Sequence, residues 1–430
     1  MTGSIVAVVF LTLVACLVLT VPIGFSLGIA SLAYILYTGQ LTFGFIAQNL
    51  VTGCDSFPTM AIPFFIFAGE LMGGGGISKR LLNVANVFFG RISGGLAIVT
   101  VVVCMFFAAI SGSGPATVAA VGGMVIPTML EKGYDKKFVL ALIAAAGSIG
   151  VIIPPSIPMV IYSVTTNSSV SKLFLAGFLP GLLIGLVLIA YSYIYAKKNG
   201  YKGDEEAFSL QKAFDAIKDG FWALLAPVII LGGIYGGIFT PTEAAAVSVI
   251  YSLIVGCFIY KELDLKQLMQ VTKNACETTA SILIVIGCAA GFSKVMTLGR
   301  IPTTVASALM SLTDSKIIIL LLINVLLLIV GCFMETLCAI MILAPILYPV
   351  VTAMGVDVTH FGIIMVVNLA IGFITPPLGV NLFVASRVGE TTLDTVIKGI
   401  IPFLILMIVT LLVITYIPSI SMLLPNMMGS

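Results

Sequence analysis

The chain has 430 residues, of which 60% are hydrophobic and 9% charged, with a formal net charge of +2. Soluble domains carry about 25% charged residues, so the composition excludes an ordinary water-soluble fold and leaves a polytopic membrane protein. A net charge this small gives no case for nucleic-acid binding, and one His with eight scattered Cys leaves no material for a zinc centre or a Ser-His-Asp triad.

Taken in chain order, the apolar runs predict membrane spans near 4–20, 22–38 and 57–75, then a folded-back hairpin over 93–130. A span over 138–163, broken at Pro154-Pro155, and a span over 173–196 follow. The first run lacks a basic leading segment and continues into a second apolar run, so it does not read as a cleavable signal peptide. A charged stretch, 197–220, reads as a solvated cytoplasmic linker and holds Lys197, Lys198, Lys202, Asp204, Glu205, Glu206, Lys212, Asp215, Lys218 and Asp219. The order then recurs: spans near 221–238, 241–260 and 276–298, a hairpin over 316–350, a span over 360–386 broken at Pro376-Pro377, and a span over 396–418.

This recurrence is a duplication. At an offset of 222 residues Gly69 falls on Gly291, Pro127 on Pro349, Gly133 on Gly355 and Gly150 on Gly372. Pro154 and Pro155 fall on Pro376 and Pro377, Gly177 on Gly399, and Pro180 on Pro402. The Gly and Pro content alone gives about one or two such coincidences. The predicted units are repeat 1 over 1–196, the linker, and repeat 2 over 221–430. Five spans per unit is an odd number, so the second unit enters the membrane from the opposite face. The expected fold is an all-α membrane protein of two inverted repeats, each with about five spans, one re-entrant hairpin and one broken span.

With the N-terminus outside, the cytoplasmic segments hold Lys79, Arg80, Arg91, Lys132, Lys136, Lys137, the five linker lysines, Lys261, Lys266, Lys273, Arg387 and Lys398, which is 16 of the 20 basic residues. The positive-inside rule therefore places both termini in the periplasm, and leaves Lys172, Lys294, Arg300 and Lys316 at the outer face.

The stretch "AAISGSGPATVAAVGG" (108–123) interrupts an apolar run with helix breakers and reads as the tip of the first hairpin. Its image at the offset is Phe333-Met334-Glu335-Thr336-Leu337. Two tips and two Pro-Pro breaks place four stretches of irregular backbone near the midplane, which a bilayer tolerates only where protein covers them or a cavity is lined. Freed carbonyls suit a bare cation, helix N-termini suit an anion, and Ser111, Ser113, Thr117, Ser148, Thr336 and Thr375 add hard oxygens. The physical reading is a cation-coupled transporter of an anionic solute, not an enzyme. Glu335 is costly if it faces lipid, so its place beside the tip leaves structural and functional roles open. In "TPTEAA" Thr240, Pro241 and Glu243 match a helix-capping box. Glu70 reads as a hydrated span end, Arg387 as a cytoplasmic anchor or a carboxylate clamp, and 77–91 as an interfacial connector.

At "AGELM" (68–72), "SGSGPATVAAVG" (111–122), "IGVIIPPSIPMVIY" (149–162), "FTPTEAAAV" (239–247), "GCFMET" (331–336), "LAPILYPV" (343–350) and "GFITPPLGVNLFV" (372–384) the sequence resembles the large membrane subunit of tripartite ATP-independent periplasmic (TRAP) transporters. The resemblance spans nearly the whole chain. It implies an inner-membrane permease without a cofactor, working with a small four-helix membrane subunit, expected on a separate polypeptide, and a periplasmic substrate-binding protein. It implies sodium-driven import of organic acids by an elevator motion, with a leaning to sialic acid over C4-dicarboxylates. Carried onto this chain, the sodium sites fall on Ser111, Gly112, Ser113, Gly114, Gly147, Gly150 and Pro154, and on Gly331, Glu335, Thr336, Gly372, Thr375 and Pro376. Substrate contacts fall on Ser113, Pro115, Thr117, Pro155, Thr336, Pro377 and Asn381. The competing reading is a stand-alone sodium–dicarboxylate symporter, which shares inverted repeats and paired hairpins but needs no binding protein.

Overall fold

A computed structural model describes residues 2–39, 41–203, 209–313 and 315–428, and every regular element among them is helical. The first half runs α1 (Thr2–Val18), α2 (Ile23–Thr38), α3 (Phe43–Cys54), α4 (Ala61–Gly74), α5 (Ile77–Phe89), α6 (Gly95–Ser111), α7 (Gly114–Glu131), α8 (Lys136–Ser148), α9 (Ile157–Thr166) and α10 (Val170–Lys198). The second runs α11 (Leu210–Tyr235), α12 (Pro241–Leu253), α13 (Leu265–Leu298), α14 (Ile301–Leu312), α15 (Lys316–Phe333), α16 (Thr336–Ala353), α17 (Val358–Gly372), α18 (Val380–Val388), α19 (Leu393–Tyr416) and α20 (Ser419–Met427). Seven helices among the described residues are long and apolar enough to cross a bilayer, or eight if a bent pair counts as one span. All eight cysteines are free.

The helices of the second half follow those of the first at the 222-residue offset. Subtracting 222 takes α15 to 94–111, α16 to 114–131 and α17 to 136–150, beside α6, α7 and α8. It takes α13 to 43–76, the combined reach of α3 and α4. Here the halves differ in shape. The predicted span at 57–75 is the second limb of a pair bent by 66° after α3, whereas α13 is one helix of 34 residues. The chain leaves helical geometry at Asp55 (φ −86°, ψ 69°), and Pro58 opens the second limb without an N–H to donate back toward α3. The image of Pro58 in α13 is Ala280, which permits a continuous helix.

The expected linker also contracts. α10 continues through Lys198, and α11 starts at Leu210, where Ser209 Oγ accepts from Lys212 N–H at 3.5 Å. Lys212, Asp215, Lys218 and Asp219 thus sit on helix, and Asp204, Glu205 and Glu206 lie outside the described residues. The capping box at α12 forms as expected. Thr240 N–H donates to Glu243 Oε2 at 2.8 Å, and Glu243 N–H donates to Thr240 Oγ1 at 3.3 Å.

Two packed groups of helices emerge. In a flanking bundle, α13 packs on α2, α3 and α4, while α12 packs on α4, α11 on α5 and α1 on α2. In a hairpin bundle, α6 and α7 pack on α8, and α15 and α16 pack on α17, with α10 and α19 against them. The two broken segments cross antiparallel: α8 lies beside α18, and α9 beside α17. Tyr162 on α9 donates to Val358 C=O at 2.8 Å, and Asn381 on α18 donates to Ala144 C=O at 3.0 Å. Buried His360 joins α17 to the C-terminal turn, its Nδ1 lying 2.7 Å from Ser421 Oγ and its Nε2 3.2 Å from Thr415 C=O.

The connector α5 buries Ile77, Leu81, Val84 and Ala85 along α11. Arg80 fastens it to the flanking bundle. Its Nη1 donates to Glu262 Oε1 at 2.6 Å, its Nε lies 3.3 Å from Asp219 Oδ1, and its guanidinium stacks 3.6 Å from the Tyr260 ring centre. The partners are part-exposed, which limits the combined contribution to about 1–2 kcal/mol. Arg80→Ala should therefore lower the melting temperature of the detergent-solubilised protein by a few degrees, and Arg80→Lys by less, because lysine keeps the charge and loses the stacking plane. An unchanged melting temperature in Arg80→Ala would contradict this anchor.

Candidate functional site

The first tip is built from its own hydroxyls. α6 ends where Gly112 adopts φ +60° and donates its N–H to Ala108 C=O at 3.2 Å. The left-handed turn is easy for glycine and reverses the chain in one residue. Ser113 then caps α7, and Pro115 occupies its first turn. Thr117 Oγ1 donates to Ser113 C=O at 2.7 Å, and Ser111 Oγ lies 3.2 Å from Thr117 Oγ1. Three oxygens thus converge inside the turn.

The tip rests on the first break, backbone against backbone. A methyl group added at Gly112 would lie 2.8 Å from Pro155 C=O. One added at Gly150 would lie 2.6 Å from both Ser113 C=O and Thr117 Oγ1. One added at Gly147 would meet Val118 at 2.2 Å. The second tip meets its own break in the same way: Gly372 with a methyl group would press 2.6 Å from Gly331 C=O. Both Pro-Pro bonds, Pro154-Pro155 and Pro376-Pro377, are cis.

The two halves also touch each other here. Asn381, after the second break, is fully buried, and its Oδ1 has no hydrogen-bond partner among the described residues. A methyl group at Gly114 of the first tip would lie 3.4 Å from that oxygen. Thr336 Oγ1, at the second tip, is likewise buried without a partner. Buried polar atoms are nearly always satisfied, so these two oxygens mark positions suited to a ligand. The donor set of carbonyls, hydroxyls and an amide oxygen is neutral and hard, which fits an alkali cation better than a transition metal. No group of three or more His, Cys, Asp or Glu side chains that could hold a metal ion occurs among the described residues.

Two cavities flank the tips. The first, about 820 Å³, lies between α4 and α13 on one wall and both tips on the other. Its charged lining residues are Glu70 and Glu335. The second, about 570 Å³, lies between α3 and the C-terminal half of α13 on one side and α9 and α16 on the other, and its one charged lining residue is Lys294. The flanking walls are images of each other. Val271, Asn274 and Thr278 line the first cavity, and subtracting 222 gives Asn49, Thr52 and Ser56, which line the second. The hairpins break this symmetry. Ser111, Gly112, Ser113 and Pro115 of the first tip and Glu335–Leu337 of the second open on the first cavity, while the second cavity meets α16 further along, at Met341, Pro345 and Tyr348. The hairpin bundle is therefore seated toward the first cavity.

Of the residues singled out in the sequence, Ser111, Gly112, Ser113, Pro115, Glu335 and Thr336 line the first cavity. Gly114, Thr117, Gly147, Gly150, Pro154, Pro155, Gly331, Gly372 and Asn381 form the buried layer behind it. Thr375 and Pro376 are half-buried at the second break, Pro377 is exposed, and Thr375 Oγ1 donates to Ile371 C=O at 2.8 Å. Ser148 is buried, donates to Ala145 C=O of its own helix at 2.6 Å, and lines neither cavity. Arg387 is exposed at the end of α18 and lines neither cavity. Motif reading passed over the flanking wall, namely Glu70, read as a hydrated span end, and Asn274 and Thr278. The last two sit four apart on one helical face, which is the available sequence signal.

Crossing broken helices, paired hairpins and two opposed cavities in an apolar helical protein define a membrane transport protein. The chain belongs to the family described as "Tripartite ATP-independent periplasmic transporter, DctM component", whose model matches residues 10–420. It is 54% identical over 406 residues to the isethionate TRAP transporter permease protein DctMQ of Oleidesulfovibrio alaskensis, covering 94% of this chain and 64% of that one. It is 43% identical to the C4-dicarboxylate TRAP transporter large permease protein DctM of Pseudomonas aeruginosa, covering 94% of each. It is 39% identical to the sialic acid TRAP transporter large permease protein SiaM of Vibrio cholerae, covering 94% of this chain and 95% of that one. These relatives are transporter permeases, not enzymes. The fold is similar to the crystal structure of the Alcanivorax borkumensis YdaH transporter, with a TM-score of 0.58 at 16% identity, covering 88% of this chain and 87% of that one.

The close backbone contact at Gly150 gives a direct test. Gly150→Ala should separate the first tip from its break and reduce transport at least tenfold at matched expression. Gly123→Ala on α7, where an added methyl group meets nothing within 4 Å, should be neutral. Equal uptake rates in the two variants would contradict the packing of tip on break.

Proposed function

We propose that this chain is the large permease of a sodium-coupled TRAP transporter that imports a small organic acid across the bacterial inner membrane. A periplasmic binding protein delivers the acid, and the hairpin bundle carries it past the flanking bundle. The observation that carries this reading is the seating of both tips on one of two symmetry-related cavities. A bundle that occupies one of two equivalent seats has a second seat available, which is the requirement for alternating access.

The basic residues set the direction. Lys79, Arg80, Lys266 and Lys273 lie at the end of α4, α5 and α13 nearest the first cavity, which supports a cytoplasmic opening there. The second cavity then faces the periplasm, as do both termini, and the described state is inward-open. The apolar, exposed faces of α1 and α2, including Leu11, Val14, Phe25 and Leu36, suit a small four-helix membrane subunit. For the substrate, 54% identity to an isethionate permease against 39% to a sialic acid permease moves the reading from sialic acid toward small sulfonates and C4-dicarboxylates.

Sodium coupling rests on neutral oxygens, so it should respond to their removal. Reconstituted with the small subunit and the binding protein, uptake should require an inward sodium gradient and saturate with sodium. Ser113→Ala and Thr375→Val should each raise the sodium concentration for half-activation about threefold or more, since one lost hydrogen-bond-strength contact is worth about 1 kcal/mol. Sodium curves unchanged in both variants would remove these oxygens from the coupling sites. Full uptake without the binding protein would favour the stand-alone symporter.

A further inference from the structure

We propose that the second cavity is an anion-receiving vestibule, with Lys294 as the residue that draws a carboxylate or sulfonate into it before the hairpin bundle takes it up. Lys294 is exposed on α13, four residues from its end, and forms no hydrogen bond or ion pair with any described residue. It is the single charged group lining a cavity whose remaining wall mixes polar side chains such as Asn49, Thr52, Asn167 and Thr297 with apolar ones such as Ile161, Ile286 and Met341. A lone ammonium at the mouth of a concave, low-dielectric wall focuses its field and raises the local concentration of anions. Asn167 and the second Nδ2 hydrogen of Asn49 are the neutral amide donors beside it, because Asn49 Nδ2 already donates once to Phe45 C=O and the hydroxyls of Thr52 and Thr297 donate to Gln48 C=O and Ser293 C=O.

The charge of the other cavity supports the same direction. Glu70 and Glu335 are the charged residues lining the first cavity, so an anion is attracted on one side and repelled on the other. The image of Lys294 in the first half is Met72, and that of Glu70 in the second half is Phe292. Lys294 and Glu70 are therefore departures from the duplicated pattern placed on the flanking bundle, which forms one wall of both cavities, whereas Glu335 sits on the second hairpin tip. A flanking-wall charge acts on solute that enters and leaves, whichever seat the hairpins occupy.

This inference rests on the transporter reading and its orientation, and the test separates the two. Thr297→Cys places a thiol three residues from Lys294 on the same helical face, at roughly 5–6 Å between Cβ atoms. The full chain is labelled in right-side-out and inside-out vesicles with the sulfonatoethyl or the trimethylammonioethyl methanethiosulfonate, and mass spectrometry reads the modification at position 297. One unit charge at this range in an aqueous mouth predicts that the anionic-to-cationic rate ratio drops about tenfold when Lys294→Gln is added, and is kept with Lys294→Arg. Raising the salt should shrink the ratio. Thr278→Cys in the first cavity should show the opposite preference. Ser293→Cys serves as a second reporter if Thr297→Cys does not fold. A ratio unaffected by Lys294→Gln overturns the proposal and leaves the transporter reading intact. A Lys294-dependent ratio reached only from the cytoplasmic side upholds the anion site and overturns the orientation.

Discussion

Irregular backbone inside a bilayer must be covered, and this requirement organises the molecule. Four stretches of the chain leave helical geometry near its middle: two hairpin tips and two breaks. Each tip covers a break, and glycine makes the approach close enough. Gly150 admits Ser113 C=O, and Gly331 lies directly on Gly372. At the first tip Ser113 C=O meets the Ser111 and Thr117 hydroxyls, and Asn381 Oδ1 lies beside Gly114, while the second tip carries the unpartnered Thr336 Oγ1. The covering that makes such backbone tolerable therefore also leaves buried oxygens at each tip. It also ties the tips and breaks together, because separating a tip from its break would strip both of their cover.

The second consequence is mechanical. The flanking bundle presents matching faces at two levels, with Asn49, Thr52 and Ser56 at one and Val271, Asn274 and Thr278 at the other. The hairpin bundle meets these faces unequally. Duplicated sequences that fold into unequal environments point to one state of a two-state system, because a single symmetric minimum would give both tips the same surroundings. Arg80, held by Glu262, Asp219 and Tyr260, fastens α5 to the flanking bundle. Between α5 and α6, Gly94 takes φ +74° and packs closely on Ala196 of α10.

Much of this was legible from punctuation. Glycine and proline at fixed offsets located the duplication, both tips and both breaks, since their backbone effects hold in any surroundings. The Thr240–Glu243 capping box was equally local and formed as read. What was not legible depends on tertiary context. Pro58 reads as the start of a span, yet it opens the second limb of a pair bent by 66° whose first limb is α3. The linker's charges look solvated, and Lys212, Asp215, Lys218 and Asp219 are exposed, but on the first turns of α11, while Lys197 and Lys198 end α10. Glu70, Asn274 and Lys294 are ordinary polar residues in helices. Only the rotation of α4 and α13 about their axes shows that they face cavities and not lipid or neighbouring helices. The leaning to sialic acid rested on no single residue, and the relatives include isethionate, C4-dicarboxylate and sialic acid permeases alike.

The central claim is that one bundle alternates between two seats. Spin-label distances between Asn274 on α13 and Ala119 on α7, across the first cavity, and between Thr52 on α3 and Met341 on α16, across the second, measure it most directly. In vesicles with sodium, binding protein and small subunit present, both distance distributions should be bimodal. Conditions that narrow the first cavity should widen the second in equal proportion. A single, condition-independent distance across both cavities would contradict the account and leave a gate at one face as the alternative.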